Sequence, residues 1–240
     1  QENLQDIISQ YIFKYGNKLD PDEARKAFIY IGYTGENVSS FRKVEKKLIS
    51  ALYDEMLEKV IEKNTPTITF LTGVAGRGKS TATQRYSEEL NNRGLVYDSA
   101  LNRYGKLDEL IKYAQEKGIK DVEVIAVYND PITAFKNTIT RGLRGDKGLP
   151  NGNGRWLSLK YFTESFEENI GKIQQLYDNY KDEINIRAID NTNNQAKEVT
   201  IQDAIKWNYQ LTDEQADELY NIVKNNTLLN DDKIQRILKS

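Results

Sequence analysis

The most constraining feature of this sequence is a glycine-rich segment of the form GxxxxGK[ST]. Residues 73–80 read GVAGRGKS, with a short hydrophobic stretch before them at 67–71 and a helical pattern after them at 79–92. Glycines in such a turn let backbone N–H groups converge on phosphate oxygens, and the helix behind the turn adds positive potential. The sequence therefore predicts a strand, a phosphate-binding loop (P-loop) and a helix in succession, which is the core of an α/β nucleotide-binding unit.

The P-loop motif assigns a role to each of its residues. Lys79 is expected to reach the β and γ phosphates as a positive charge, and the Ser80 hydroxyl is expected to ligate Mg²⁺. Thr81 is expected either on the helix surface or against the nucleotide. The predicted cofactors are ATP or GTP with Mg²⁺. The predicted nucleotide-binding residues are Gly73, Val74, Ala75, Gly76, Arg77, Gly78, Lys79, Ser80 and Thr81.

The composition excludes several kinds of chemistry. The 240 residues include no cysteine and no histidine, which rules out thiol nucleophiles, cysteine-ligated metals and imidazole bases. Proton transfer must then use a carboxylate, a lysine, a tyrosine or water. The net charge of −2 gives no field that would attract long nucleic acids, so a nucleic-acid partner is not expected. The apolar runs are strand-sized, so we predict no membrane partner and a cytoplasmic location.

Hydrophobic stretches and helical patterns alternate from residue 67 to residue 190, which is typical of a parallel α/β sheet. Residues 1–195 are predicted to form this domain with its N-terminal helices, and residues 196–240 a C-terminal helical extension packed on it or linked to it. The predicted strands are 67–71, 95–98, 122–128 and 184–189. The predicted helices are 1–18, one starting at Pro21, 38–63, 79–92, 105–117, 131–143, 160–180, 200–208 and 213–238. Predicted helix caps are Asp20 with Glu23, and Thr212 with Gln215.

Other features favour a kinase among the P-loop classes. No NKxD base-reading motif of a GTPase is present, and the strand end Asn129-Asp130-Pro131 is a poor match to the acidic strand end of a helicase or transporter ATPase. The stretch 144–155 is rich in glycine and charge, which suits a mobile loop. Kinases of small metabolites use arginines near such a loop to neutralise the transferred phosphoryl group. The candidates are Arg141, Arg144 and Arg155.

Several short segments, taken in order, resemble the zeta toxin family of P-loop kinases, especially the variant form found in phage and mobile-element proteins. They are Asp22-Glu23-Ala24-Arg25, Tyr97-Asp98-Ser99-Ala100-Leu101, Val127-Tyr128-Asn129-Asp130-Pro131, Arg141 with Gly154-Arg155, and Ile189-Asp190-Asn191. The likeness spans roughly residues 19–195. It implies a P-loop kinase-like three-layer sandwich with a mostly parallel sheet. It also implies transfer of the γ-phosphate of ATP or GTP to the 3′-hydroxyl of UDP-N-acetylglucosamine or a related UDP-amino sugar.

The resemblance further implies a partner, a location and a role for individual residues. The partner would be an antitoxin or immunity protein, the chain would be part of a larger polypeptide, and a phage-encoded form would act in the host cytoplasm. The implied catalytic residues are Asp22 as the base, Lys79, and Arg141 and Arg155 as a phosphate clamp. The implied substrate-binding residues are Arg25, Asp98 and Ser99.

Two departures from the family pattern leave alternatives open. The D-x-x-R motif precedes the P-loop here instead of following it, as though the chain were permuted, and Ala100 stands where the family has threonine. Asp22 has a second interpretation as part of a helix start, with Asp20 as the cap. The alternative functions are a kinase of another acceptor, such as a nucleotide, NAD or a nucleic-acid end, and a non-catalytic NTP-binding module of a phage or mobile-element protein.

Overall fold

A computed structural model describes residues 2–100, 104–145, 149, 156–168, 172–207 and 210–239, which form an α/β fold. Within this part of the chain, six strands make one sheet in the order β1-β3-β2-β4-β5-β6. The strands are β1 (Lys18–Leu19), β2 (Thr67–Thr72), β3 (Leu95–Asp98), β4 (Asp121–Tyr128), β5 (Asn185–Asp190) and β6 (Lys197–Val199). Neighbours from β1 to β5 pair in parallel, whereas β6 is antiparallel to β5. The predicted α/β class with a mostly parallel sheet is confirmed.

Helices link the parallel strands and flank the sheet. Their bounds are α1 (Glu2–Tyr15), α2 (Pro21–Ala24), α3 (Val38–Glu62), α4 (Lys79–Arg85), α5 (Ser87–Asn91), α6 (Tyr104–Glu116), α7 (Pro131–Arg144), α8 (Leu159–Glu167), α9 (Lys172–Tyr180), α10 (Ile201–Ile205), α11 (Asp213–Lys224) and α12 (Asp231–Leu238). A 3-10 helix, Arg25–Ile31, continues directly from α2. None of the described helices combines the length and the hydrophobicity that a membrane span requires.

Apolar side chains cover both faces of the sheet because successive residues of a strand point to opposite faces. On one face, Ile68 and Phe70 of β2 join a core that α1, α3 and α6 complete. On the other face, Leu71 packs with residues of α4 and α5. The sheet therefore lies between two helical layers, an arrangement that fits a three-layer sandwich.

One charged residue of the sheet is buried on the face that α4 and α5 cover. Glu123 of β4 is 3% exposed, and its carboxylate accepts hydrogen bonds from Thr69 Oγ1 at 2.9 Å and Asn185 Nδ2 at 2.9 Å. Arg187 adds an ion pair at 3.3 Å. A buried carboxylate with this many donors is compensated for its lost hydration, so Glu123 is a structural residue.

Sequence patterns located most elements correctly but missed the shortest strands. β1 has two residues and β6 has three, and neither is long enough to show the alternation that marks a strand. β1 nevertheless pairs with β3, with Leu19 opposite Tyr97. The N-terminal segment is therefore part of the sheet, and the residues after β1 lie at its carboxyl edge.

Three long helices predicted from the sequence are interrupted. The predicted helix 79–92 divides at Tyr86 into α4 and α5, and the predicted helix 160–180 divides into α8 and α9. The predicted helix 213–238 breaks between Asn225, which ends α11, and Asn230, which caps α12. Asparagine favours turns because its side chain bonds nearby backbone groups, here Asn226 Oδ1 with the Leu228 N–H at 3.0 Å.

Of the two predicted capping boxes, one forms. Thr212 and Gln215 exchange the expected pair of hydrogen bonds at the start of α11. Asp20 caps α2 as predicted, but Glu23 does not complete the box, because its carboxylate binds the Tyr15 hydroxyl at 2.7 Å and Lys26 at 2.8 Å.

The C-terminal segment packs on the rest of the chain. Leu219 and Val223 of α11 share a buried cluster with Phe135 of α7, Phe162 of α8 and Val74 of the P-loop. Besides helices, residues 196–240 supply the sheet strand β6. The C-terminal helices therefore support the P-loop from the side of α7.

Candidate functional site

The P-loop joins the carboxyl end of β2 to the start of α4. Its backbone turns through left-handed conformations at Gly76 (φ 80°) and Gly78 (φ 86°), which residues with a side chain rarely adopt. Neighbouring atoms also leave no room for a side chain there. A Cβ on Gly76 would lie 1.9 Å from the Ala134 oxygen, and one on Gly78 would lie 1.9 Å from Asn191 Nδ2. Both glycines are therefore required by conformation and by packing.

Two asparagine side chains hold carbonyl groups of the P-loop. Asn137 Nδ2 of α7 donates to the Gly76 oxygen at 2.9 Å, and Asn191 Nδ2 at the end of β5 donates to the Arg77 oxygen at 3.0 Å. Because C=O and N–H lie on opposite sides of a trans peptide, these contacts set the direction of the N–H groups of the same peptides.

Two side chains of the P-loop, Val74 and Arg77, are buried, whereas those of Lys79 and Ser80 are not. The Arg77 guanidinium lies 4.6 Å from the centre of the Phe166 ring and 5.6 Å from that of Tyr128. Such stacking places the charge on aromatic faces, so Arg77 can offer a ligand only its backbone. Lys79 Nζ donates to the Gly73 oxygen at 2.7 Å, across the loop. Ser80 is exposed.

The segment after β3 lies against the start of the P-loop. The Ser99 N–H donates to the Leu71 oxygen at 3.2 Å, and the Ala100 oxygen accepts from Thr72 Oγ1 at 3.2 Å and from the Gly73 N–H at 3.4 Å. Asp98 and Ser99, two of the three predicted substrate-binding residues, therefore adjoin the predicted nucleotide site. Carboxyl ends of adjacent parallel strands meet at one edge of a sheet, which is where ligands bind in this architecture.

The N-terminal segment brings further charge to the same edge. Lys18 Nζ lies 2.9 Å from Asp98 Oδ2 and 3.5 Å from Asp20 Oδ2. Burial, followed by repulsion from Asp98 and Asp22, raises the pKa of the Asp20 carboxyl to about 6, although Lys18 opposes the change. Asp20 also caps α2, since its Oδ1 accepts from the Asp22 N–H at 2.9 Å.

Asp22 lies between two arginines. Arg25 Nη1 is 2.9 Å from Asp22 Oδ1, and Arg141 Nη2 is 3.5 Å from Asp22 Oδ2. Arg25 also pairs with Glu45 of α3 at 2.8 Å, so its guanidinium is held by two carboxylates. Arg141 is 47% exposed, and an exposed ion pair of this length contributes little stability. This geometry therefore gives the Arg141–Asp22 pair a small part in stability.

Helix α7 links the P-loop to Asp22. Asn137 and Arg141 are four residues apart, which places them on one face of the helix about one turn, or ~5.4 Å, from each other. Asn137 contacts the P-loop, and Arg141 contacts the N-terminal segment. One face of α7 thus contacts the P-loop through Asn137 and, one turn later, the Asp22 carboxylate through Arg141.

The structure brings together most of the side chains that the sequence singled out. Asp22, Arg25 and Arg141 form one cluster, and Asp98 and Ser99 adjoin the P-loop. Thr81 is half-buried in the first turn of α4, and Arg144 is exposed at the end of α7. Arg155 lies outside the described residues.

Sequence reasoning assigned no site role to three polar residues that lie here. Asn137 and Asn191 hold the P-loop, and Asn129, at the end of β4, is fully buried with a side-chain amide that meets no acceptor among the described residues. The available signal was position, because Asn129 and Asn191 directly follow strands, as Asp98 ends one. For Asn137, the signal in the sequence was its spacing of four residues from Arg141.

The side chains of this site suit a Mg²⁺ ion that takes most of its ligand oxygens from a bound nucleotide and from water. In the described part of the chain, His, Cys, Asp and Glu side chains form no group of three or more that could hold a metal. Mg²⁺ in nucleotide sites needs only one or two protein oxygens, together with phosphate oxygens and water, and the exposed Ser80 hydroxyl provides one such oxygen. Comparison with protein-family models gives no match, and comparison with curated proteins likewise gives none.

Proposed function

We propose that this protein is a P-loop phosphotransferase that moves the γ-phosphate of ATP or GTP to a hydroxyl group of a small molecule. The observation that carries the proposal is the position of Arg141. Its guanidinium contacts Asp22 at 3.5 Å, one helical turn from the Asn137 side chain that binds the P-loop at 2.9 Å. A kinase needs a cation between the donor phosphate and the acceptor hydroxyl. The Arg141–Asp22 pair, on the same helix face as the Asn137 contact to the P-loop, supports that arrangement.

The P-loop residues 73–81 would hold the triphosphate. Its backbone N–H groups and Lys79 would bind the phosphate oxygens, with the Lys79 ammonium leaving the Gly73 oxygen for the ligand. Ser80 would hold Mg²⁺, which when bound neutralises charge on the phosphates. These interactions position the γ-phosphate without requiring a histidine or a cysteine, in agreement with the composition of the chain.

The acceptor side of the site would be formed by the N-terminal segment and the end of β3. Arg141, with Arg155, would neutralise the equatorial oxygens of the transferred phosphoryl group. When Arg141 turns to the phosphate, Asp22 would accept the proton of the incoming hydroxyl. Asp98 and Ser99 would orient that hydroxyl, and Arg25 would hold Asp22 in place.

The finer proposal for the acceptor is a UDP-amino sugar such as UDP-N-acetylglucosamine, which rests on the resemblance to zeta toxins. The test is transfer of labelled phosphate from ATP or GTP, with Mg²⁺, to this acceptor and to a panel of a nucleotide, NAD and an oligonucleotide with free ends. We expect label on the UDP-amino sugar. Label on another member of the panel would support the kinase activity but show that the acceptor is that molecule and not a UDP-amino sugar.

Two variants and a control test the assigned roles. Lys79→Ala is expected to lose about 10²-fold or more in turnover, and Asp22→Asn is expected to lose transfer while keeping nucleotide affinity. Lys106→Ala removes an exposed lysine of α6 that pairs with the exposed Glu109, and should change neither quantity. Wild-type turnover by Asp22→Asn would refute the base assignment. Nucleotide binding with no transfer to any acceptor would refute the kinase proposal and favour a non-catalytic nucleotide-binding module.

A further inference from the structure

The turn after β5 is tied to the P-loop through the side chain of Asn191. Asn191 is fully buried, and its amide makes hydrogen bonds at both ends. Nδ2 donates to the Arg77 oxygen at 3.0 Å, and Oδ1 accepts from the Ala196 N–H at 3.1 Å. The Asn191 backbone N–H donates to the Tyr128 oxygen at 2.8 Å, which fixes the residue to the end of β4. The side chain therefore has one rotamer that satisfies all of its partners.

Residues of the turn that follows Asn191 adopt an unfavourable backbone conformation. Asn193, Asn194 and Ala196 have φ values of 59°, 58° and 46°. The left-handed region is strained for a residue with a side chain, and less so for asparagine than for alanine. Such conformations persist where the surrounding contacts over-determine them, and they cluster near functional sites. Here the strained residue, Ala196, presents its N–H to Asn191 while its own side chain is 1% exposed.

The fit between Asn191 and the P-loop is also steric. Gly78 approaches Asn191 so closely that a Cβ on Gly78 would lie 1.9 Å from Nδ2. The peptide between Arg77 and Gly78 is therefore held from one side by a hydrogen bond and a close contact. A peptide held in this way directs its N–H to the opposite side.

We propose that Asn191 is a positioning residue for the P-loop, which holds the 77–78 peptide in the orientation that binds phosphate, and that the strained turn 192–196 holds Asn191. This inference rests on the proposed function, because fixing these amides in advance matters only if they bind a phosphate chain. It adds that phosphate affinity depends on the β5–β6 turn, through Asn191. Preorganised donors bind more tightly because no ordering cost is incurred on binding.

The test measures the P-loop with and without a ligand in Asn191→Asp. This nearly isosteric change replaces the Nδ2 donor with an oxygen that faces the Arg77 oxygen. We expect amide hydrogen exchange over residues 74–79 to accelerate at least tenfold in the unliganded protein, with exchange in β2 and β4 unchanged. We also expect the dissociation constants for Mg²⁺-ATP and for inorganic triphosphate to rise at least tenfold. A purely structural role would instead accelerate exchange throughout the sheet.

Two further variants keep the inference testable. Asn191→Ala removes both hydrogen bonds without introducing a carboxylate, and should reproduce both effects if Asn191→Asp fails to fold. Asn221→Asp makes the same side-chain change at an exposed position of α11, so it should leave both exchange and affinity unchanged. Wild-type exchange at residues 74–79 in a folded Asn191 variant would overturn the inference, whether or not nucleotide binds. Failure of the wild-type protein to bind either ligand would instead refute the proposed function, while the exchange measurement would still decide the role of Asn191.

Discussion

Asp20 offers the sharpest test of the electrostatics at the sheet edge. Its side chain is 19% exposed and lies 3.5 Å from Lys18, while burial and the neighbouring carboxylates Asp98 and Asp22 raise its pKa to about 6 from 3.8. The substitution Asp20→Asn removes the charge but keeps an oxygen that can cap α2, because asparagine is as good an N-cap as aspartate. It therefore isolates the cost of holding a carboxylate at this position.

The magnitude follows from the pKa difference between the folded and the unfolded chain. Each pKa unit corresponds to about 1.4 kcal/mol, so ionised Asp20 lowers the free energy of unfolding by about 3 kcal/mol. Because the folded-state pKa is raised, this cost is absent well below pH 3.8, where both states are protonated. It grows as the pH rises from 3.8 towards 6 and is nearly complete above pH 6. Asp20→Asn should therefore stabilise the protein by up to about 3 kcal/mol at pH 8 and by less than about 1 kcal/mol at pH 4.

Urea unfolding of the wild type and the variant at pH 4, 6 and 8 measures this difference. Glu109→Gln is the control, because Glu109 is 69% exposed and its loss should change stability by less than about 1 kcal/mol at each pH. If Asp20→Asn gains no more stability at pH 8 than at pH 4, the carboxylate is not repelled as the geometry requires. If the variant is less stable at pH 8, the contact with Lys18 outweighs the repulsion from Asp98 and Asp22.

Two further predictions concern the P-loop and its support. Gly78→Ala should abolish nucleotide binding and lower stability by about 2 kcal/mol or more, because the new Cβ meets Asn191 Nδ2 at 1.9 Å and φ is 86°; calorimetry with Mg²⁺-ATP and urea unfolding measure this. The matched change Gly105→Ala, in open space on α6, should be neutral or stabilising. Leu219→Ala should cost about 2–5 kcal/mol of stability and weaken nucleotide binding, because this side chain is fully buried in the cluster that contains Val74. Leu228→Ala, at a position 74% exposed, should change neither, and equal effects of the two leucine variants would refute the support of the P-loop by α11.

Local patterns in the sequence were enough to determine the α/β class and the P-loop. The hydrophobic stretch before Gly73 forms β2, and the glycines at 76 and 78 adopt the left-handed conformations that the motif requires. Asp20 caps α2, as its position before Pro21 indicates. Each of these features depends on residues within a few positions of one another, where propensity and periodicity act.

The composition of the site was decided by contacts between residues far apart in the chain. The two-residue strand β1 has no periodicity of its own, yet its pairing with β3 carries Asp20 and Asp22 to the edge where Asp98 and the P-loop lie. Asn191 reaches the P-loop across 114 positions, and Arg141 reaches Asp22 across 119. Sequence spacing does not encode such contacts, because they form only when the sheet aligns the ends of its strands. The chain by itself therefore specified a glycine-rich loop between β2 and α4, and the tertiary structure decided which side chains face that loop.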